Sequence, residues 1–145
     1  MKHNTLIFLV SFFALQLACR PAFEPIDFGH DACAHCKMTI IDKRYAAELI
    51  TPKGRAYKFD DIVCLLQYNA ANPPANGTRF LVTNYSDSNH PFTDAQKAIY
   101  LHSESFKTPM NGQCAAFTDE KTAIPHKDNL EQRLLKWEDL TRLNP

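Results

Sequence analysis

The sequence YAAELITPKGRAYKFDDIVCLLQYNAA occupies residues 45–71 and predicts a strand, a turn, a second strand and a helix, in that order. Residues 45–51 are apolar and partly alternating, Pro52-Lys53-Gly54 has the composition of a turn, and residues 55–59 again favour a strand. The two strands are expected to form a β-hairpin.

A helix is predicted directly after the hairpin, over residues 61–71. We expect Asp60 to cap it, because a carboxylate can accept a hydrogen bond from an unpaired amide of the first turn. The helix must end before Pro73. Its apolar face consists of Ile62, Leu65 and Leu66.

The second half of the chain repeats this order less clearly. Asp119 can start a short helix that Pro125 breaks. Short strands that alternate with helices in hairpin order predict an α+β fold rather than a parallel sheet. The other predicted elements are a strand at 79–85, a loop at 86–91, a short helical turn capped by Thr93 and Gln96, an extended segment at 98–103 and a strand at 114–118.

A last helix is predicted to begin at Asp128, which forms a capping pair with Glu131 three residues later. We therefore expect a globular domain over residues 31–126 and a C-terminal helix within 127–145 that packs on it. The apolar face of that helix would carry Leu130, Leu134, Trp137 and Leu140.

Composition limits the possible functions. The chain has 145 residues, of which 45% are hydrophobic, and this suits one globular domain or two half-domains that share a core. Sixteen basic and sixteen acidic residues give zero formal charge, so nothing in the charge indicates a nucleic-acid partner. Phosphate loops, nucleophile elbows and zinc-protease motifs are absent from the sequence, which gives no support to a hydrolase.

The first eighteen residues have the composition of an export signal. Residues 6–17 form an apolar run after the basic Lys2, and this run is too short to span a bilayer. Ala18-Cys19 follows and resembles a lipoprotein signal-peptidase site, although an ordinary signal peptide with an incidental cysteine is an alternative. We expect removal of residues 1–18, lipidation of Cys19, a tether over 19–30, and a domain that faces the periplasm or the cell exterior.

Residues 33–38, Cys-Ala-His-Cys-Lys-Met, place two thiols, an imidazole and a thioether within six positions. That density indicates a site for a soft metal ion or for thiol exchange. If the chain is extended here, the side chains of Cys36 and Met38 project to the same side and can face one ion. Cu(I) readily accepts a thioether ligand that Zn(II) seldom accepts, so Met38 favours copper over zinc. The alternative is a methionine that fills a gap in the core.

Other candidate ligands lie further along the chain. Met110 is a second thioether candidate, because its loop between proline and glycine offers no core to fill. Among the histidines, only His35 is placed by its neighbours as a possible ligand. Cys64 is expected to be a buried structural thiol on the first helix, whereas Cys114 has three interpretations: metal ligand, disulfide partner of Cys64, or core residue.

Two further functions would use the same residues. Cys33 and Cys36 have the spacing of thiol-disulfide oxidoreductases, although the β-branched residues that follow do not suit the helix usual after that motif. A structural zinc site could use these two cysteines together with Cys64 and Cys114. We interpret Asp60 as a helix cap, and Asp61 as a first-turn acid, rather than as hard-metal ligands.

Three separated blocks of this sequence resemble, in order, the NosL family of copper-binding accessory lipoproteins of nitrous oxide reductase. The resemblance runs from about Asp31 to Ala123. The blocks are Cys36-x-Met38-Thr39-Ile40 with Ala46–Ile50, Gly54 with Tyr57–Ile62, and Thr108-Pro109-Met110 with Ala116-Phe117.

This resemblance implies a membrane-anchored Cu(I) chaperone, not an enzyme, that delivers copper through a membrane-associated assembly complex for the maturation of nitrous oxide reductase in denitrification. It also implies a fold of two ββα-type units, similar to that of organomercurial lyases. Organomercurial cleavage is a remote alternative that rests on this likeness alone.

The resemblance carries three ligands over by position: Cys36 as thiolate and Met38 and Met110 as thioethers. Cys33 or His35 would be an exchangeable fourth group. Two departures from the family pattern are expected to change loop geometry or local charge without removing a ligand atom. Lys37 stands where glycine is common, and Asn111 separates Met110 from Gly112, which are often adjacent.

Overall fold

The computed structural model of the protein describes residues 23–143. The predicted signal peptide, the predicted lipidation site Cys19 and the beginning of the predicted tether lie outside these residues. The elements in chain order are β1 (Ala47–Ile50), β2 (Ala56–Phe59), α1 (Ile62–Ala71), β3 (Arg79–Thr83), β4 (Phe92–Asp94), β5 (Ile99–His102), β6 (Cys114–Phe117), α2 (Glu120–Ala123), a 3₁₀ turn (Ile124–His126) and α3 (Trp137–Leu143).

The strands form two antiparallel sheets. One has the order β2-β1-β3-β4, and the other contains only β5 and β6. The hairpin predicted from residues 45–59 is confirmed, with Ala47 opposite Phe59 and Ile50 opposite Ala56. The order strand, strand, helix occurs twice, in β1-β2-α1 and in β5-β6-α2. The predicted α+β class with two ββα-type units is therefore confirmed.

The core consists of a large apolar cluster that includes residues of both units and a smaller one around β5 and β6. Because side chains alternate along a strand, Ala47 and Leu49 share one face of β1, and they belong to the same buried apolar cluster as Ile62 and Leu65 of α1. Around the β5-β6 ladder lies a second, smaller cluster. Its buried members are Tyr45, Ile99, Leu101, Phe106, Ala115, Phe117 and Ala123.

The N-terminal cap of α1 differs by one residue from the prediction. Asp61, not Asp60, has the extended backbone of a cap, and its side chain accepts a hydrogen bond from the amide of Val63. Asp60 is buried just before the helix, at the end of β2. Because Asp61 caps the helix, the Asp60 carboxylate is available for contacts outside it.

Two other predicted elements are wrong. Thr93 does not cap a helical turn but lies in β4 opposite Val82, so cross-strand pairing replaces the local capping pattern. A turn follows it instead, in which the carboxylate of Asp94 accepts a hydrogen bond from the amide of Gln96 at 3.0 Å.

The last helix begins at Trp137, nine residues after the predicted start at Asp128. The backbone of Leu135 instead exchanges two hydrogen bonds with Tyr100 of β5, each 2.9 Å long, so tertiary pairing holds this segment extended. Leu130 is 95% exposed rather than packed. Trp137 and Leu140 are buried, as the pattern predicted.

Part of the predicted tether packs on the domain. Ile26 is buried, and the ammonium of Lys58 on β2 lies 3.0 Å from the carboxylate of Glu24 and 2.8 Å from that of Asp31. The N-terminal part of the described chain is thus held against the sheet by the ion pairs that Lys58 forms with Glu24 and Asp31. Within residues 23–143, no helix has the length and apolar character needed to cross a membrane.

Glu48 is a buried carboxyl in the middle of β1. Its Oε1 accepts a long hydrogen bond of 3.4 Å from the amide of Glu24, and its Oε2 has no hydrogen-bond partner among the described residues. Burial raises the pKa of Glu48 from 4.5 to about 7. The folded protein therefore retains a proton that the unfolded chain loses at lower pH.

The pKa of Glu48 predicts how stability depends on pH. The unfolding free energy should fall as the pH rises from 4.5 to about 7, by on the order of 3 kcal/mol. Glu48→Gln should remove this decrease in unfolding free energy, and above about pH 7 it should be more stable than the parent. Urea denaturation at a series of pH values measures both effects. The exposed Glu104→Gln is the control and should follow the parent curve; a parental curve for Glu48→Gln would contradict the prediction.

Candidate metal centre

A tight turn places the first two cysteines of the site. The amide of Cys33 donates to the carbonyl of Met38 at 2.8 Å, and the amide of Lys37 donates to the carbonyl of Cys33 at 3.1 Å. Lys37 has a φ of +69°, in the left-handed region. The segment is therefore not extended, so strand alternation does not place the side chains of Cys36 and Met38 on the same side.

Another hydrogen bond attaches this turn to the sheet. The amide of Ala34 donates to the carbonyl of Lys58 at 2.7 Å, which holds the turn against the end of β2. Asp60 follows directly, and Cys64 lies in the first turn of α1. Three segments that are separate in sequence thus meet at one point.

The result is a cluster of three thiols and one carboxylate: Cys33, Cys36, Asp60 and Cys64. One ligand atom from each residue lies within 4.8 Å of all the others. The sulfur of Cys36 is 3.5 Å from both carboxylate oxygens of Asp60. Cys36 is partly exposed, whereas the other three residues are buried. All four described cysteines are free thiols.

The thiols of this cluster do not ionise equally. A hydrogen bond from Cys64 lowers the pKa of Cys33 to about 6, against the opposing effect of burial. The same hydrogen bond raises the pKa of Cys64, since its proton is the one donated. Burial raises the pKa of Cys36. The cluster therefore holds one thiolate at neutral pH and two thiols able to lose a proton to a metal.

These donors suit a soft metal ion. Thiolate sulfur selects Cu(I) and similar ions, whereas a carboxylate oxygen is a harder donor that Zn(II) also accepts. A cation would also offset the negative charge that a buried thiolate and a neighbouring carboxylate accumulate. The chemistry open to this site is therefore metal binding through sulfur, with Asp60 beside it.

The remaining predicted ligands lie on exposed loops. Met38 is 51% exposed at the end of the cysteine turn, and Met110 is 37% exposed in the loop before β6. His35 is exposed and is not a member of the four-residue cluster. Cys114 is also outside that cluster, and neither a Cys64–Cys114 disulfide nor the zinc set that included Cys114 is formed.

The Met110 loop is attached to the start of α1. The amide of Met110 donates to Oδ2 of Asp61 at 2.9 Å. Gly112 then approaches so closely that a Cβ there would lie 2.9 Å from Oδ1 of Asp61 and 3.0 Å from the side chain of Val63. Glycine is needed at this position, and the loop is held beside the helix end that carries Asp60 and Cys64.

Sequence reasoning missed Asp60, which it assigns to the helix cap. It groups Cys64 with Cys33 and Cys36 only in the zinc alternative and otherwise expects a structural thiol. Cys64 is indeed buried, but it also faces the other thiols. The signal in the sequence was the position of both residues at the predicted helix start, together with a Cys33 and Cys36 pair that offers only two of the ligands a metal ion needs.

Comparisons with known proteins agree with this architecture. The model of the NosL family matches residues 26–143. The crystal structure of the copper chaperone NosL from Shewanella denitrificans is similar, with a TM-score of 0.68 and 18% sequence identity over 85% of this chain and 98% of that chain. At such identity the likeness establishes the fold alone. No curated protein sequence matches the chain significantly.

Asp61 should contribute more to stability than an ordinary helix cap. Asp61→Ala removes hydrogen bonds to the amides of Val63 and Met110 and should lower the unfolding free energy by about 2–4 kcal/mol. The control is Asp119→Ala, which removes the exposed cap of α2 and should cost about 1 kcal/mol. Hydrogen exchange at the Met110 amide should accelerate only in Asp61→Ala; equal exchange in both variants would contradict this account.

Lys37 should be a suboptimal residue at its position. Because glycine adopts a positive φ without steric cost, Lys37→Gly should raise the unfolding free energy by roughly 0.5–1 kcal/mol. The matched control is Lys53→Gly. Lys53 is also an exposed turn lysine, but its φ is not positive, so this substitution should lower the unfolding free energy. Thermal or chemical denaturation measures both, and a destabilised Lys37→Gly would show that the left-handed backbone does not limit stability.

Proposed function

The chain belongs to the NosL family, and on that premise we propose that it is a metallochaperone that binds Cu(I). The observation that carries the proposal is the cluster of Cys33, Cys36, Asp60 and Cys64. Three free thiols beside one another are the donors that a soft, low-coordinate ion requires. Copper is the cargo of such a protein, which binds and releases it unchanged, so the protein is not an enzyme.

The exposure of Cys36 suits transfer of a metal ion. A partner must bring its own sulfur or imidazole to the copper while a ligand of the chaperone leaves. Cys36 is partly exposed, and Met38 and Met110 are exposed on two separate loops. By position in the family, we assign Cys36, Met38 and Met110 as the ligands from which copper is transferred, with Cys33 or His35 as an exchangeable fourth group.

We further propose that the protein is exported and anchored to the membrane through a lipidated Cys19, facing the periplasm or the cell exterior. The apolar run at 6–17 and the Ala18-Cys19 junction support this assignment. In that position it would pass copper to a membrane-associated delivery complex for the maturation of nitrous oxide reductase. The formal charge of zero gives no reason to expect a nucleic-acid partner.

Zinc is a second candidate, favoured by one observation. Three thiols and a carboxylate oxygen within 4.8 Å provide the four ligands of a tetrahedral structural zinc site. Asp60, rather than the predicted Cys114, supplies the fourth donor. The thiol-disulfide alternative lacks such support, because the residues after Cys36 form a bridge to Ala32 and not the helix usual after that motif.

An anaerobic titration with Cu(I) against a chromogenic chelator tests the function on the reduced, full-length protein in detergent. The parent should bind about one equivalent, and Cys36→Ser should bind at least about tenfold more weakly, because one sulfur ligand is lost. Cys114→Ser, a buried thiol outside the cluster, is the control and should match the parent.

Either of two results would contradict copper binding at this site. The parent could fail to compete with the chelator, or Cys36→Ser could bind as tightly as the parent. Purification with one equivalent of zinc that excess Cu(I) does not displace would instead establish the structural zinc site.

A further inference from the structure

Resting on the proposed function, we infer that Cys33, Cys36 and Cys64 form an interior site in which three sulfurs hold the Cu(I) ion. In this arrangement the exposed thioethers of Met38 and Met110 serve its release rather than its retention. Cys36 is the one ligand common to both sets. The inference gives a metal-binding role to Cys64 and makes Cys33 a retaining ligand rather than an exchangeable one.

Exposure separates the two sets of donors. Cys33 and Cys64 are 1% and 0% exposed, whereas Met38 and Met110 are 51% and 37% exposed. Cys36 lies between these extremes. An ion held by the inner pair is shielded from water and from competing ligands, and an ion held by the thioethers is open to a partner. Retention and transfer thus require different sulfurs.

The distances within the cluster fit three-sulfur coordination. Three sulfurs in a plane, each about 2.3 Å from a metal as in zinc thiolates, are about 4 Å apart. The sulfurs of Cys33, Cys36 and Cys64 are all within 4.8 Å of one another. These separations are therefore close to those that coordination of one ion by all three sulfurs requires.

Asp60 acts on this site without binding copper. Its carboxylate is a hard donor, which Cu(I) does not favour. Both oxygens are 3.5 Å from the sulfur of Cys36, close enough to orient that side chain toward the buried pair. Asp60 is a positioning residue for Cys36, and the sulfur-only ligand set distinguishes this site from the tetrahedral zinc arrangement.

Movement of the ion between the two sets is a ligand exchange. Copper remains Cu(I), so no oxidant or reductant is required. The bonds from copper to Cys33 and Cys64 break, and the proton that copper binding displaced from this pair is taken up again from solvent. Bonds to the neutral thioethers of Met38 and Met110 form, while the bond to Cys36 remains. The loop of Met110 is held by Asp61 at the start of α1, the helix that also carries Cys64.

The test uses the full-length, reduced protein in detergent, loaded anaerobically with one equivalent of Cu(I). Two variants remove inner ligands, Cys33→Ser and Cys64→Ser, and one double variant, Met38→Leu with Met110→Leu, removes both thioethers. Cys114→Ser is the buried-thiol control. Three quantities are measured for each protein: Cu(I) affinity by chelator competition, the number of sulfur ligands by X-ray absorption, and the rate of copper transfer to an excess of chelator.

For the parent and Cys114→Ser we expect three sulfur ligands. Cys33→Ser and Cys64→Ser should lose one sulfur and bind Cu(I) at least roughly tenfold more weakly. The thioether double variant should keep three sulfurs and parental affinity but transfer copper several-fold more slowly. The thioether double variant tests the inference even if a cysteine variant does not fold. Both of its substituted side chains are exposed, so we expect it to fold.

The inference is overturned if the parent binds Cu(I) but the thioether double variant loses it, or if folded Cys33→Ser and Cys64→Ser both keep parental affinity and sulfur number. In these cases the proposed function still stands, with copper held at the exposed ligands. If the parent itself does not bind Cu(I), the proposed function fails, and the inference fails with it. Near-ultraviolet circular dichroism reports whether each variant is folded.

Discussion

One buried carboxylate fixes the geometry on which the site depends. Asp61 accepts hydrogen bonds from the amide of Val63 at 3.0 Å and from that of Met110 at 2.9 Å, so it joins the first turn of α1 to a loop almost fifty residues away in sequence. The close approach of Gly112 completes this attachment. Asp60 and Cys64 flank Asp61, and their positions follow from it. The thiol cluster is thus built on a helix start that cannot shift independently.

The cluster brings a buried thiolate and a carboxylate close together in the protein interior. Cys33 is held as a thiolate by a hydrogen bond from Cys64, and the Asp60 carboxylate lies 3.5 Å from the sulfur of Cys36. The four members of the group are three cysteines and one aspartate. Burying negative charge without a partner is costly. A cation bound by the sulfurs would supply the missing charge, which gives a physical reason for the arrangement beyond packing.

The fold of this protein and the chemistry of its site come from different features of the chain. The family match and the similar crystal structure account for the two ββα-type units, in which one cysteine turn, one strand end and one helix start converge. A fold of this kind does not by itself specify a ligand. The chemistry comes from four side chains, and their donor types favour a soft ion over a hard one.

The sequence by itself determined the β-hairpin, the helix that follows it, the α+β class and the presence of Cys33 and Cys36 in one candidate site, because each depends on patterns of residues close together in the chain. Tertiary structure decided the rest. Cys64 and Asp60 joined the cysteine pair through contacts between separate segments, and Lys37 took a positive φ because the turn closes on the sheet. The pairing of Leu135 with Tyr100 likewise displaced the predicted start of the last helix, since long-range hydrogen bonds outweighed a local capping pattern.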